Sequence, residues 1–260
     1  MSVGEVIPVS VPGLRVVRWT TDELRVGMKE FHAVARIERG RSEWWAQGKV
    51  HSSEPGSIQL KQPGDVHRDL ANDGPITFQV IVLQALDLER VRDEGKVVTH
   101  PHLAPGDERA LPFHRLHDAV AAGADRLSLE VAMTEAIAAF TILKSAPVDH
   151  TRPVRRAMAY LRERLADAFT LEDLARYAGL DKFHLCRAFR AQIGMPPHAY
   201  LTQMRIARAK ELLDSGVRPS EVAPRVGLYD QSQLNRHFRR IVGTTPARYR
   251  NARPRPSFST

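Results

Sequence analysis

The stretch Val217–Arg250, VRPSEVAPRVGLYDQSQLNRHFRRIVGTTPARYR, decides the fold of one half of the chain. Its first part reads as a short helix with apolar Val222, Ala223 and Val226. That helix stops at Gly227, the residue type that takes a positive φ in a tight turn without strain. Leu228 and Tyr229 carry the chain to Asp230, which stands where an N-cap belongs, its carboxylate able to accept orphan backbone N–H groups. On the second helix Leu234, Phe238 and Ile241 recur at i, i+4 and i+7 and would face a core. Gln231, Ser232, Asn235, Arg236 and Arg239 fall mainly on the other side, a polar face of the side-chain types that meet base edges and phosphates.

The pattern occurs twice. Leu174-Ala175…Ala178-Gly179-Leu180 returns as Val222-Ala223…Val226-Gly227-Leu228. Leu185, Arg187, Phe189, Arg190, Gly194 and Pro197 return as Leu234, Arg236, Phe238, Arg239, Gly243 and Pro246, with one extra residue in the second turn. A repeat that keeps apolar, glycine and arginine positions together is far stronger than one helix–glycine–helix match, which a pair of helical hairpins in any bundle could supply.

With these residues in view, positions 150–250 resemble the double helix-turn-helix domain of the AraC/XylS family of bacterial transcription regulators. TLEDLARYAGLDKFHLCRAF is similar to its first module, and YLTQMRIARAKELL, with Arg205, Ala209 and Leu212, to its connecting helix. VGLYDQSQLNRHFRRIVGTTPARYR is similar to its second module. The resemblance implies double-stranded DNA as partner, RNA polymerase as a further one, and an activator acting as a homodimer. It implies base contacts from Phe183, Cys186, Arg187, Gln231, Ser232, Gln233, Asn235 and Arg236. Lys182, Arg190, Arg239 and Arg240 would grip phosphates or buttress the helices. Phe183 leaves two readings open, a satellite core residue or a contact to thymine methyls.

Charge is divided along the chain. Residues 1–148 hold 17 Lys+Arg against 20 Asp+Glu, whereas residues 149–260 hold 21 against 10. Only the second half is built to meet a polyanion. The length allows two cores, residues 1–112 with a helical segment 113–146 attached, and 152–252. With no run of eighteen apolar residues and no signal-peptide core, the expectation is a soluble cytoplasmic protein without membrane contact. The single cysteine, Cys186, excludes an internal disulfide and a cysteine-based zinc site.

The first hundred residues read as an all-β barrel. Val9–Trp19, Phe31–Glu38, Ser57–Lys61 and Ile76–Leu83 carry strand patterns. Turn signals lie at Pro12-Gly13, Arg39-Gly40, Pro55-Gly56, Pro63-Gly64 and Asp73-Gly74-Pro75. EPGSIQLKQPGDVHRDLANDGPITFQVIVL resembles the cupin-type effector domain that precedes the DNA-binding part in many AraC-family members, which implies a small-molecule effector. The candidate lining is His32, Trp44, Trp45, His51 and His67, aromatic walls with polar anchors. Trp44 and Trp45 point opposite ways on a strand, so at best one lines a pocket. Dispersed histidines favour hydrogen-bonded pocket residues over metal ligands, so no metal, no cofactor and no catalysis are expected. The competing class is a metal-dependent cupin oxygenase or isomerase with a DNA-binding tail.

A loop over Val97–Pro112 leads to helices at Phe113–Ala122 and beyond a Ser128 cap. There Leu129, Met133, Ala136, Phe140 and Leu143 form a stripe usable against the barrel or a second subunit, and the family resemblance favours the subunit. SAPVDHT, Ser145–Thr151, is the linker. Val154, Met158, Leu161 and Leu165 then make the buried stripe of the next helix. Pro224 is the departure from pattern: it cannot donate to Ser220, a loss that is tolerable if its helix begins near Pro219.

Overall fold

The computed structural model describes residues 3–12, 14–83, 98–145 and 150–251. The chain forms two compact units, Met1–Asp149 and His150–Thr260. Gly13, Val97 and residues 146–149 of the linker lie outside the described residues.

The first unit is a cupin-like antiparallel sheet followed by two helices. Its strands are β1 (Val3–Ile7), β2 (Arg15–Thr21), β3 (Val26–Met28), β4 (His32–Ala46), β5 (Lys49–Ser53), β6 (Ile58–Lys61), β7 (Val66–Leu83), β8 (Val98–Thr99), β9 (His102–Leu103) and β10 (Lys144–Ser145). The main sheet runs β1-β2-β7-β4-β6-β9, with β3 added to β7 and β5 added to β4; β8 pairs with β10. Two sequence turn signals are not turns. Arg39-Gly40 lies inside the 15-residue β4, and Asp73-Gly74-Pro75 inside the 18-residue β7. Here the β4–β7 register slips, between Ile37 and Arg39 and again between Arg39 and Arg41. Gly40 has φ +81°, and a Cβ there would meet the Pro75 carbonyl oxygen at 2.8 Å. Glycine and proline mark bulges in two long paired strands, not their ends.

The two faces of this sheet differ. Val16, Val34, Ile58, Leu60, Ile81 and Leu83 form one buried core with α1 (Leu111–Ala121) and α2 (Arg126–Ile142), through Phe113, Leu116, Leu129, Ala136, Ile137 and Phe140. Alternation then sends Ala33, Ala35, Gln59, Lys61, Phe78, Val80 and Val82 to the other face.

Two expectations change here. Asp125, not Ser128, caps α2: it accepts from Ser128 N–H at 3.0 Å and from the Ser128 hydroxyl at 2.8 Å. The stripe Leu129, Ala136, Phe140 and Leu143 is buried in the unit's own core, with Met133 partly buried against it, so it is no free seam. Phe140 meets Phe113 edge-on at 6.4 Å. The helix instead leaves Leu127, Val131 and Ile142 exposed on its outer side.

The second unit is all-α: α3 (Arg152–Glu163), α4 (Leu171–Ala178), α5 (Lys182–Ile193), α6 (Pro197–Asp214), α7 (Pro219–Arg225), α8 (Gln231–Val242) and α9 (Pro246–Asn251). Val154, Ala157, Tyr160 and Leu161 give α3 its buried side; Leu165 lies beyond that helix. Ile206, Ala209 and Leu213 of α6 share a core with Val222, Ala223, Val226, Leu228, Leu234 and Phe238 of the second module. The helix with Pro224 begins at Pro219, and Leu228 N–H closes its end on the Ala223 carbonyl at 2.9 Å.

Candidate functional site

Each helix-turn-helix is fixed by local chemistry. In the first, Thr170 and Asp173 cap α4 reciprocally, and Gly179 turns the chain at φ +77°. Asp181 then caps α5, accepting from Phe183 N–H and His184 N–H, both at 2.9 Å. In the second, Gly227 turns at φ +72° and Asp230 caps α8 through Gln233 N–H at 2.6 Å. The side-chain Oε1 of Gln233 accepts from Tyr229 N–H at 2.7 Å, which turns its amino group towards any further contact.

The two modules are also held to one another. A Cβ on Gly227 would meet the Ala166 carbonyl oxygen at 2.6 Å, so the second turn sits directly on the loop after α3. Arg205 of α6 donates to the same loop, to Leu165 O at 2.9 Å and Asp167 O at 3.1 Å. An 18-residue α6 spans about 27 Å at roughly 1.5 Å per residue.

Away from these cores, α8 presents Ser232, Asn235, Arg236, Arg239 and Arg240 around one shallow open depression, with Gln231 exposed beside it. On α5, Arg187 and Arg190 are exposed and Cys186 is half-buried. Phe183 is 70% exposed, so it is not a satellite core residue. Lys182 Nζ lies 5.5 Å from the Phe183 ring and 3.5 Å from Glu172 Oε2. These donors match guanine and adenine edges and phosphate oxygens, and an exposed aromatic matches a thymine methyl. Sequence reading passed over Tyr229, 94% exposed, although it is the one residue by which the second turn exceeds the first.

The five effector candidates do not form one group. Trp44, only 1% exposed, donates its indole N–H to Ser53 Oγ at 2.8 Å and lies between two imidazoles. Its ring centroid is 4.7 Å from that of His67 and 4.8 Å from that of His51. His102, not foreseen, joins them at 6.1 Å from Trp44 and 5.7 Å from His51. His32 stands apart, edge-on to Phe140 at 5.6 Å. Trp45, on the opposite side of the strand, is buried under the Arg68 guanidinium, 5.7 Å away.

Burial sets the ionisation of this interior. It pushes His51 and His67 below the ordinary imidazole range and His102 down to about 4, so all three are neutral at pH 7. His67 Nε2 lies 2.7 Å from Asp69 Oδ1, whose other oxygen accepts from Arg25 N–H at 3.0 Å. Nε2 of His51 and of His102 is buried without a hydrogen-bond partner. Among the described residues no group of three or more His, Cys, Asp or Glu is arranged to hold a metal ion. No helix there is long and apolar enough to cross a membrane.

A cupin-like sheet unit followed by two linked helix-turn-helix modules with polar outer faces defines a DNA-binding transcription regulator. Family comparison agrees along most of the chain: the AraC-like ligand binding domain matches residues 12–137 and a helix-turn-helix domain matches 174–252. The protein belongs to the AraC family of transcription regulators, with an N-terminal ligand-binding domain. It is 29% identical over 218 residues to the uncharacterized HTH-type transcriptional regulator YbfI of Bacillus subtilis, covering 79% of each chain. It is 32% identical over 106 residues to the arabinose operon regulatory protein of Escherichia coli, covering 40% of this chain and 36% of that one. Among solved structures, the C-terminal domain of AraT from Geobacillus stearothermophilus is 27% identical, covering 43% of this chain and 93% of that one, with a TM-score of 0.41.

Proposed function

We propose that this regulator is a cytoplasmic, non-enzymatic activator that reads a bipartite DNA site, α5 in one major groove and α8 in the next. The observation that carries this is the matched pair of capped helices, each with exposed arginines at equivalent positions, Arg187 with Arg236 and Arg190 with Arg239. Phe183, Cys186, Arg187, Gln231, Ser232, Asn235 and Arg236 face base edges, with the Gln233 amino group beside them. Lys182, Arg190, Arg239 and Arg240 serve phosphates. Selection of bound sequences from random DNA with the full chain tests this. Two half-sites one helical turn apart are expected, and a single contiguous motif or no enrichment overturns it.

The regulator acts as a homodimer that contacts RNA polymerase. Leu127, Val131 and Ile142, exposed within about 60° of one another around α2, support a second copy seated on that outer side. Val131→Glu should yield a folded monomer in sedimentation; an unchanged dimer counts against this placement. For the enzyme alternative, stoichiometric iron, manganese or zinc in purified protein would move the reading to a cupin oxygenase or isomerase.

A further inference from the structure

Each recognition helix begins beside an exposed aromatic side chain: Phe183 is the second residue of α5, and Tyr229 immediately precedes the Asp230 cap of α8. Among the described residues no large hydrophobic side chain is more exposed than Tyr229, and neither its hydroxyl nor its ring has a partner there. The backbone beneath it is nevertheless fixed. Leu228, just before it, is buried in the core of the second module, with its N–H on the Ala223 carbonyl at 2.9 Å. Asp230, just after it, accepts from Gln233 N–H at 2.6 Å. Tyr229 N–H donates to Gln233 Oε1 at 2.7 Å, which fastens the residue to the first turn of α8. A held backbone thus presents a free phenol.

Single exposed apolar residues are common, so exposure alone decides nothing. Position does. In helix-turn-helix docking the first residues of the recognition helix meet base edges while the preceding helix crosses the backbone, so the turn between them lies at the rim of the groove. The two modules differ at this spot. Helix α5 starts with a cation, Lys182, whereas its counterpart at the start of α8 is the uncharged Gln231, and the first basic residue of α8 is Arg236. The second turn is longer than the first by one residue, and that residue is Tyr229. In the first module Lys182 is drawn to Glu172, 3.5 Å away. A phenol has no charge for the adjoining Asp230 carboxylate to draw off, and its rigid ring holds the donor at little cost in conformational freedom.

We infer that Tyr229 is a DNA contact of the second module that the first module lacks, its hydroxyl donating to a backbone phosphate at the rim of the groove entered by α8. This rests on the reading of α8 as a major-groove helix. Such a contact positions the module and carries no base preference. Being uncharged, it adds affinity without releasing a counterion of its own.

The test uses the full chain, its selected DNA site and an unrelated duplex of the same length. Tyr229→Phe removes only the hydroxyl and should weaken binding to both duplexes by about tenfold, as for a hydrogen bond to a charged acceptor. The preference between them, and the slope of affinity against salt, should match those of the unsubstituted protein. Arg239→Ala should instead lower that slope by about one. Nitration and peptide mapping of the unsubstituted protein should modify Tyr229 first among the five tyrosines, and the selected duplex should protect it. Unchanged affinity of Tyr229→Phe, a loss confined to the selected duplex, or full reactivity of Tyr229 in the complex overturns the inference. Unchanged affinity with lost transcription in a purified system would assign the residue to polymerase instead. Arg236→Ala separates this inference from the reading beneath it. If that variant keeps its base preference in both half-sites, the reading of α8 fails. If it relaxes one half-site while Tyr229→Phe changes nothing, only the Tyr229 contact fails.

Discussion

The two units use charge in opposite ways. The DNA-binding half holds the large positive excess, yet its displaced groups are few. Asp173 and Asp181 are lowered by the Thr170 side chain and the His184 N–H they cap, while partial burial lowers Arg205 and His237. In the nearly neutral sheet unit, burial displaces Lys29, Lys61, His51, His67, His102 and His117, and raises Asp65 to about 6. One unit displays its cations to a polyanion outside. The other draws several of its titratable groups into the sheet, where burial disfavours their charged forms. Net charge by itself says which half meets DNA, but not where electrostatic strain is stored.

Salt should separate the halves most sharply. If six to ten phosphates are contacted, DNA affinity of the full chain should fall by about 10³–10⁵ between roughly 50 and 200 mM salt, through counterion release. Thermal stability of the sheet unit should change far less over the same range. A comparably steep salt response of the sheet unit's unfolding would erase the contrast.

Base discrimination comes next in size. Arg187→Ala and Arg236→Ala should each relax preference in a different half-site by about 1–3 kcal/mol, while Arg239→Ala should weaken all sequences alike. Selection profiles of the three variants, with unfolding checked alongside, decide the assignment. A uniform loss with either of the first two shows that the arginine serves phosphates.

A further contrast is in stability against pH. Lys61 has a folded pKa near 7 against an ordinary 10.5, so the unfolded chain binds more protons between those values. Stability of the sheet unit should therefore rise with pH across that window, with Lys29 contributing in the same direction and Asp69, the facing carboxylate, moderating both. His102 gives the same sign lower down: stability is lost as pH falls from 6.5 towards 4. Calorimetry should show Lys61→Met flattening the alkaline rise, whereas the helical unit should respond little there. An equal rise in both units would assign the effect to something other than buried lysine.

The halves also differed in how much their sequences disclosed. Helix-turn-helix geometry is local: Gly179, Gly227, Asp181 and Asp230 each act on residues within one or two turns, so spacing suffices to find them. The sheet is governed by distant pairings. Gly40 and Gly74 look like turn residues until β4 and β7 are laid side by side, because a bulge and a turn ask the same of a glycine. The α2 stripe was legible as apolar, but periodicity carries no information about which surface covers it. His102 was missed because its neighbour, His51, lies about fifty positions away in the chain, beyond any local spacing rule. Tyr229 could have been found, since the repeat isolates it as the extra residue.

The seating of Gly227 on Ala166 has a consequence for the genome this protein serves. Two modules joined by α6 alone could swivel and accept half-sites at several separations. With the second turn pressed on the loop after α3 and Arg205 fastening that loop, their angular phase about the duplex is fixed. One inserted base pair rotates the far half-site by about 35° and moves it about 3.4 Å, more than a rigid pair can follow. Binding sites of this regulator should therefore tolerate substitutions within either half better than any change in the length between them. A promoter would leave its control more readily by a one-base deletion than by several point changes.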